Sequence, residues 1–324
     1  TDNCPELIPP YLRFLRGVID SEDLPLNISR EMLQNNPVVK KIRNALVRRT
    51  IGDLKKKLTN DRASYEEFWS NFGPVIKEGI YEDAEKKDTL LEIALFKNSN
   101  STKLITLDEY IDSMSKKQKD IYFITGDSYA NVINNPSLEG YKSRGINVLI
   151  LEDAVDSFWT SSTPNFKEKN IKSVSKGVDD LESISKKKTD DKDKKEDKSL
   201  EPLIILLKDK LKEKVKDVRT SSRLTESPVC LVVDESAMDP QLEKILQQHN
   251  QLQQGAALKI LEINPDHKLI KKLAKMSKDK ASVGDIENIG ILLYEQSMIL
   301  DGEKPSDPVS FSKKLIDTIS ASIS

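Results

Sequence analysis

Cysteine is scarce in this sequence: its 324 residues contain two, Cys4 and Cys230, and no CxxC pair. This usage excludes a disulfide framework and indicates a reducing compartment. Cys230 lies inside an apolar run, so we predict that it is a buried small hydrophobe rather than a nucleophile.

Histidine and glycine are scarce as well. The two histidines, His249 and His267, stand apart from both cysteines, so we predict neither a metal site nor a Cys–His nucleophile pair. The 12 glycines form no Walker-type loop and no glycine-rich phosphate cradle. We therefore expect no nucleotide pocket and no cofactor in this chain.

Long apolar runs and an excess of one charge are missing too. No run approaches the ~18 apolar residues that a membrane-spanning helix needs, and no signal peptide is present, so we expect a soluble protein without membrane contact. The 51 Lys and Arg residues are matched by 53 Asp and Glu residues, which argues against broad nucleic-acid binding. The chain begins at Thr1 rather than Met, and we expect it to be the C-terminal half of a longer protein.

The first functional candidate lies near the start of the chain. Alternating apolar residues predict a strand over residues 11–19, followed by a loop over residues 20–34. Within that loop Ser29 is a suitable N-cap for a helix that begins at Arg30. A guanidinium and backbone N–H groups can converge on an anion at such a place, although an ordinary solvated or salt-bridged arginine is the alternative.

The rest of the first 176 residues predicts helices and then a small α/β unit. Helical spacing of apolar residues indicates three helices in residues 35–98, the second of which ends at Gly73-Pro74. In residues 99–176, Thr106 and Glu109 have the spacing of a capping box, for a helix that reaches about residue 118. Apolar runs at 121–124 and 146–151, joined by a helix over about 127–141, predict a parallel βαβ unit.

A charged segment over residues 177–200 separates these regions from a C-terminal domain over residues 201–324. Residues 186–198 are charged at every position except Thr189, so this run is expected to stay solvated. Beyond it we predict a helix that begins at Pro202, with five apolar residues on its inward face: Leu203, Leu207, Leu211, Val215 and Val218. Strands are predicted at 228–233 and 258–263. The predicted fold class is mixed, with α/β and α+β parts.

Two apolar helices close the chain and predict a homodimer. A helical hairpin this apolar needs a partner, and two copies would form a four-helix bundle. The predicted interface residues are Ile286, Ile289, Leu293, Leu300, Phe311, Leu315 and Ile319.

A further candidate is the helix that begins at Asp239-Pro240. Leu242, Ile245 and Leu246 form its apolar cluster, which Met238 extends. An amphipathic helix of this kind either docks on its own domain or presents its apolar face to a partner. Composition alone favours docking.

Six segments of the chain match long motifs that occur in the same order in other sequences: residues 7–20, 21–34, 122–128, 215–219, 222–228 and 262–267. On these segments the chain resembles the ninety-kilodalton heat-shock chaperones, and their spelling is closest to the bacterial branch. Residues 21–34 resemble the catalytic loop of the middle domain of that family, and residues 7–20 resemble the strand before it. The similarity covers nearly the whole chain.

This resemblance implies a division of the chain and a role for its first loop. Residues 1–176 would be the C-terminal part of the middle domain, and residues 201–324 a dimerisation domain. ATP, with magnesium, would bind an N-terminal domain that this sequence lacks, so we expect no activity from this chain alone. Arg30 would reach the γ-phosphate, with assistance from Gln34.

The resemblance also implies binding of unfolded or partly folded client proteins in the cytoplasm. Met238, Leu242, Ile245 and Leu246 would then form an exposed client-binding element, and Phe158 and Trp159 match an aromatic position with the same role. Core packing is the alternative for these two aromatic residues. The rival functions are a dimeric scaffold that binds proteins without a nucleotide cycle, and an RNA-binding protein, which the balanced charge disfavours.

Overall fold

The computed structural model describes residues 4, 6–23, 36–176, 181–184, 199–251 and 257–323. Most of the predicted loop at 20–34 and the charged run at 186–198 lie outside the described residues. The described chain contains helices and two mixed sheets, as the sequence predicted. We call residues 6–184 the N-terminal part and residues 199–323 the C-terminal part.

The N-terminal part begins with a short 3₁₀ helix at Pro10–Leu12, so the predicted strand over residues 11–19 is wrong. Tyr11 and Leu12 are adjacent and both are buried, whereas neighbouring residues of a strand point to opposite faces. The Tyr11 hydroxyl donates to Asp83 over 2.7 Å. This segment therefore packs as a single turn against the helix that carries Gly79 and ends at residue 82.

The three predicted helices of the next region are α1 Pro37–Asn60, α2 Arg62–Glu82 and α3 Lys87–Ile93. The prediction that Gly73-Pro74 ends the second helix is wrong, because α2 continues beyond this pair. A Cβ at Gly73 would lie 2.8 Å from the Trp69 indole, so glycine leaves room for this ring. Beyond the proline, Ile76 and Ile80 are fully buried. Their burial contributes about 1.5–3 kcal/mol each, which offsets the cost of roughly 3 kcal/mol for a proline inside a helix.

A five-stranded sheet follows, and its central strands are parallel. The strands are β1 Lys97–Asn98, β2 Ile121–Thr125, β3 Leu149–Leu151, β4 Asn165–Phe166 and β5 Lys169–Ser173. The sheet order is β1-β3-β2-β5-β4, and β1 and β4 are antiparallel edges. Strand β2 pairs in parallel with both β3 and β5, which confirms the predicted βαβ unit.

The helices around this sheet are shorter than the sequence predicted. Helix α4 Leu107–Ser113 has the predicted capping box, but it ends before Gln118, whose side chain donates to the Tyr110 hydroxyl and to the Asp120 carbonyl. The single helix predicted over 127–141 is broken by Pro136. Its pieces and the next helices are α5 Tyr129–Val132, a 3₁₀ turn at Pro136–Leu138, α6 Glu139–Lys142, α7 Asp156–Ser162 and α8 Leu181–Ile184.

The described residues of the C-terminal part form a three-stranded sheet, five α-helices and one 3₁₀ helix. The elements are α9 Glu201–Leu211, β6 Val215–Thr220, β7 Val229–Val232, α10 Pro240–Gln248, β8 Lys259–Ile263, α11 Lys268–Met276, a 3₁₀ helix at Lys280–Ser282, α12 Val283–Leu300 and α13 Pro308–Ile323. The sheet order is β6-β8-β7, and both predicted strands are confirmed as β7 and β8. Val215 and Val218 lie on β6 rather than on the preceding helix as we predicted, and a register shift between residues 215 and 217 allows both side chains to be buried.

The buried apolar side chains form four clusters, and each cluster lies within one of the two parts. Two clusters belong to the N-terminal part and two to the C-terminal part. The largest C-terminal cluster joins α9, the sheet, α11 and α12. Within the described ranges, no helix is long and apolar enough to cross a bilayer.

Candidate protein-binding site

Helix α10 begins at a capped aspartate that also contacts the N-terminal part. The Asp239 carboxylate accepts hydrogen bonds from the backbone N–H of Gln241 (3.0 Å) and from the Thr125 hydroxyl (2.8 Å) at the end of β2. Asp239 is buried, and burial raises the pKa of its carboxyl, although the hydrogen bond from Thr125 acts to lower it. The start of α10 is therefore attached to both parts of the chain.

Asp127 contacts two side chains on the solvent-exposed side of α10. Its carboxylate accepts from the Gln241 side-chain amide over 2.7 Å and from the Lys244 ammonium over 2.5 Å. The hydrogen bond from Lys244 is the main cause of the lowered pKa of the Asp127 carboxyl. Because both contacts are at the surface, they orient the helix more than they stabilise it.

The apolar residues of α10 differ in exposure. Leu242 is buried, as the docking alternative predicts, whereas Ile245 and Leu246 are half-buried and Met238 is 39% exposed. The outward part of the predicted client-binding element thus consists of Met238, Ile245 and Leu246. Leu242 is on the buried side of the helix.

Phe158 and Trp159 are neighbours on α7, but only Phe158 reaches the surface. Trp159 is fully buried, its ring lies 5.8 Å from the Phe96 ring, and its Nε1–H donates to Asp156 over 2.7 Å. The core-packing alternative therefore applies to Trp159, which is withdrawn from the client-binding set. Phe158 is half-buried, and its ring centroid lies 6.0 Å from that of Tyr81.

A buried ion pair fixes α7 on α2. The Lys77 ammonium lies 2.8 Å from Asp153 and 2.9 Å from Asp156, and both Lys77 and Asp156 are buried. Although burial acts to lower the pKa of Lys77, the two carboxylates raise it, so this lysine stays charged. Because α7 also contacts α10, the position of Phe158 relative to α10 is set by packed elements.

The sequence analysis did not identify Tyr81 as an exposed aromatic residue. It lies in the last turn of α2 and is 55% exposed. The signal that could have identified it is its charged sequence context, because residues 78–88 also contain five carboxylates and two lysines.

The motif at residues 222–228 forms the joint between the two parts. The Glu139 carboxylate accepts hydrogen bonds from the backbone N–H groups of residues 225, 226 and 227, at 2.7 to 3.2 Å. Burial acts to raise the pKa of Glu139, but these hydrogen bonds outweigh it and the pKa is lowered. One carboxylate from α6 thus fills a row of N–H groups on the other part.

Arg223 reinforces the same joint from the opposite direction. Its buried guanidinium donates to the carbonyl oxygens of Val174 (2.6 Å) and Lys176 (3.2 Å), and it pairs with Glu262 at 3.1 Å. A Cβ at Gly140 would lie 2.7 Å from the Arg223 carbonyl oxygen. The two backbones therefore approach so closely that only glycine fits there.

The predicted dimer residues divide into a buried set and an exposed set. Ile286 and Leu293 are buried in the largest C-terminal cluster, so the prediction that these two residues face a second copy is corrected. Side chains from α9 and the sheet cover them within the same chain. Ile289 packs against the same cluster but is only half-buried, and its place at the interface stays a prediction. Phe311 is half-buried. Leu300, Leu315 and Ile319 are 37 to 49% exposed.

Helix α13 also presents an apolar stripe that the sequence analysis missed. Val309, Ile316 and Ile323 are 80%, 60% and 81% exposed and follow each other at intervals of seven residues. This heptad spacing is the signal that could have identified the stripe, because it places all three on one helix face.

The remaining candidates concern catalysis and metal binding. Arg30 and Gln34 lie outside the described residues. Cys230 is buried, as predicted, and burial raises the pKa of its thiol well above the ordinary value, which disfavours the thiolate that a nucleophile needs. Among the residues that the structure describes, no group of His, Cys, Asp and Glu side chains could hold a metal ion.

Comparison with known proteins gives one consistent family. The sequence model of the family described as "Hsp90 protein" matches residues 1–324. The chain is 47% identical over 323 residues to the chaperone protein HtpG of Paramagnetospirillum magneticum. The aligned region covers 98% of this chain and 52% of that protein. It is 43% identical to HtpG of Rhodospirillum rubrum, over 98% of this chain and 51% of that protein. It is 42% identical to HtpG of Rickettsia bellii, over 100% of this chain and 52% of that protein. The chain thus spans about half the length of the curated relatives it matches.

Proposed function

Because this chain belongs to the bacterial Hsp90 family, we propose that it supplies the client-binding and dimer-forming parts of an ATP-dependent cytoplasmic chaperone. The observation that carries the proposal is a partly exposed apolar set at α10. Met238, just before the helix, is exposed, and Ile245 and Leu246 on the helix are half-buried. Apolar side chains that remain in contact with water beside one another support a protein-binding surface.

The chemistry of this set suits clients of many sequences. Methionine is unbranched and polarizable, so it adapts to differently shaped apolar partners. The burial of an exposed apolar side chain contributes roughly 25 cal/mol per Å² of area removed from water. Three half-exposed side chains therefore support weak, reversible binding of unfolded or partly folded segments.

Dimer formation is proposed through α13 rather than through the buried residues of α12. The stripe of Val309, Ile316 and Ile323 continues on one side to Leu315 and Ile319, and all five are exposed. A second copy of the same hairpin would cover these residues in a four-helix bundle. A two-fold interface is supported because the same apolar stripe would face itself.

For the nucleotide cycle, we propose that Arg30 and Gln34 assist hydrolysis of ATP, bound with magnesium to another domain of the whole protein. The support is the sequence motif at residues 27–31, in which Arg30 follows a good N-cap. A guanidinium brought to a transferring phosphoryl group stabilises the charge that develops there. The rival function is a nucleotide-independent dimeric scaffold. Such a scaffold would use the same protein-binding and dimer surfaces, but Arg30 would have no role in ATP hydrolysis.

The client-binding proposal is tested by suppression of client aggregation. The variant Met238→Ser/Ile245→Ser is compared with Ile205→Ser, which changes an apolar side chain that is 59% exposed on α9. We expect the double variant to lose most of its suppression and the Ile205 variant to keep it. The Ile205 variant should melt near the temperature of the unmodified protein, because exposed sites usually change stability by less than about 0.5 kcal/mol. The double variant should melt somewhat lower, because Ile245 is half-buried, and suppression is compared at a temperature where all three proteins are folded. Equal suppression by all three proteins would remove α10 as the binding site.

A further inference from the structure

Helix α11 presents a row of lysines to solvent. Lys268, Lys271, Lys272 and Lys275 are spaced three and four residues apart and are all exposed, so they share one outward face of the helix. Lys278 follows directly after the helix and is exposed as well. We call these five residues the lysine stripe. At about 1.5 Å per residue, the stripe is roughly 15 Å long.

The opposite face of α11 is fixed in the C-terminal core. Ile270, Leu273 and Ala274 are buried in the largest C-terminal cluster, and the helix contacts α9 and α12. The start of the helix is capped by His267, whose Nδ1 accepts a hydrogen bond from the backbone N–H of Leu269 over 3.2 Å. The lysine stripe therefore lies on a packed element and cannot turn inward.

The lysine stripe differs from the lysines that precede it in the C-terminal part. All seven lysines of residues 201–259 pair with a carboxylate, at 2.5 to 3.4 Å: Lys208, Lys210, Lys212, Lys214, Lys216, Lys244 and Lys259. In the stripe, Lys271 pairs with Asp266 over 2.8 Å. Among the described residues, no carboxylate pairs with the other four lysines of the stripe.

Much of this charge lies where the helix itself disfavours it. Lys268 and Lys272 are four residues apart, as are Lys271 and Lys275, and like charges at this spacing repel each other. The first turn contains no acidic residue and begins with Lys268, although the partial positive charge at a helix start disfavours a cation there. A negatively charged partner would offset both effects. The lysine stripe is thus complementary to an anion.

The surroundings of the stripe distinguish between kinds of anion. Residues 264–293 contain no arginine, tryptophan, tyrosine or phenylalanine, so the surface offers neither a bidentate phosphate contact nor a platform for base stacking. Asp266 and Asp279 lie at the two ends of the stripe and are exposed. A long phosphate backbone would meet these carboxylates, whereas a short acidic segment fits between them. Because the apolar face of α11 is buried, it cannot insert into a bilayer.

We propose that the lysine stripe binds an acidic, unstructured segment of a partner protein, with about five aspartate or glutamate residues in a run. An extended segment rises about 3.3 Å per residue, so five residues match the length of the stripe. Their carboxylates pair with the ammonium groups that have no carboxylate partner within the described chain. This surface is on a different helix from the apolar set at α10 and does not depend on the proposed client binding.

The test measures the fluorescence anisotropy of labelled peptides with the whole chain at low salt. One peptide has a run of glutamates in a glycine–serine frame, and the other has glutamines at the same positions. We expect binding of the glutamate peptide only, with an affinity that falls as salt is raised, because salt screens exposed ion pairs. The variant Lys272→Gln/Lys275→Gln should weaken this binding about three- to tenfold.

A matched control separates the stripe from the net charge of the protein. Lys208→Gln/Lys216→Gln removes the same charge from two exposed lysines that are already paired with Asp217 and Asp234. This control should bind the glutamate peptide like the unmodified protein. Both double variants change surface residues, so their melting curves should stay close to that of the unmodified protein.

Equal affinity for the two peptides, or an equal loss of affinity in the two double variants, would overturn the proposal. Two further probes test the other sources of negative charge: a single-stranded oligodeoxynucleotide with as many phosphates as the peptide has glutamates, and vesicles that contain phosphatidylglycerol. Weaker binding of both probes supports the acidic segment. If either probe binds more tightly than the glutamate peptide and loses affinity in Lys272→Gln/Lys275→Gln, the stripe is a phosphate-binding surface and the assignment to a protein partner is wrong.

Discussion

Glu139 accepts two hydrogen bonds from the backbone N–H of Ser227, one to each carboxylate oxygen, at 3.0 and 3.2 Å. These residues belong to different parts of the chain, so the contact joins the five-stranded sheet region to the C-terminal part. Together with the N–H groups of residues 225 and 226, it places one carboxylate against three consecutive amides. The motif at residues 222–228 thereby has a structural explanation.

Replacing this carboxylate should loosen the joint. Glu139→Ala leaves three N–H groups without their acceptor, which costs about 1–3 kcal/mol where water cannot replace it. We expect faster proteolysis between the two parts and a lower midpoint of urea unfolding. Glu226→Ala, at an exposed carboxylate in the same loop, is the matched control and should be nearly neutral. Indistinguishable unfolding of the two variants would mean that water substitutes for Glu139.

The same contact predicts a pH dependence. The pKa of Glu139 is lowered in the folded chain, below the ordinary value of 4.5 for the unfolded chain. A group of this kind stabilises the fold above its unfolded pKa, and the contribution is lost as pH falls through its folded pKa. The difference in melting temperature between the unmodified protein and Glu139→Gln should therefore be largest at pH 7, and it should disappear as the pH falls below 4.5. A difference that persists unchanged in acid would contradict this role.

Lys77 should be among the most sensitive charged residues of the N-terminal part. Lys77→Met leaves the fully buried Asp156 without its cation, and breaking a buried ion pair from one side costs roughly 3–5 kcal/mol. Lys55→Met removes an exposed lysine paired with Glu92 and should cost less than about 1 kcal/mol. Urea unfolding of both variants measures the difference. Similar losses in both would indicate that Asp156 takes up a proton at little cost.

The oligomeric state depends on which helix face is changed. Val309→Asp/Ile316→Asp places charges on the exposed stripe of α13, and we expect a folded monomer by light scattering. Leu293→Asp buries a charge in the C-terminal core and should unfold that part instead. Ile205→Asp, at an exposed residue on α9, should leave mass and fold unchanged. A dimer that survives the double aspartate change would exclude α13 as the interface.

Local chemistry explains which predictions from the sequence were confirmed. The capping box of Thr106 and Glu109 and the cap at Asp239 involve residues within three positions of each other, so the sequence carries the whole signal. The two apolar runs that became β2 and β3 are buried on both sides and were equally visible.

The errors arose where distant residues decide the outcome. Gly73-Pro74 does not end α2, because Trp69 fills the space that glycine leaves. Ile286 and Leu293 are covered by α9 and the sheet, and the spacing within a helix does not reveal which partner covers its apolar face. For Trp159 the resemblance left client binding and core packing open, and the contact that favours the core, with the Phe96 ring, joins chain segments more than 60 residues apart in sequence.

The joint between the two parts has a mechanical consequence. Its principal contacts are made by a carboxylate, a guanidinium, backbone amides and carbonyl oxygens, and the apolar clusters on either side do not merge. Water can form the same kinds of hydrogen bond with each of these groups. A change of angle between the two parts would therefore expose little apolar surface and leave both cores closed.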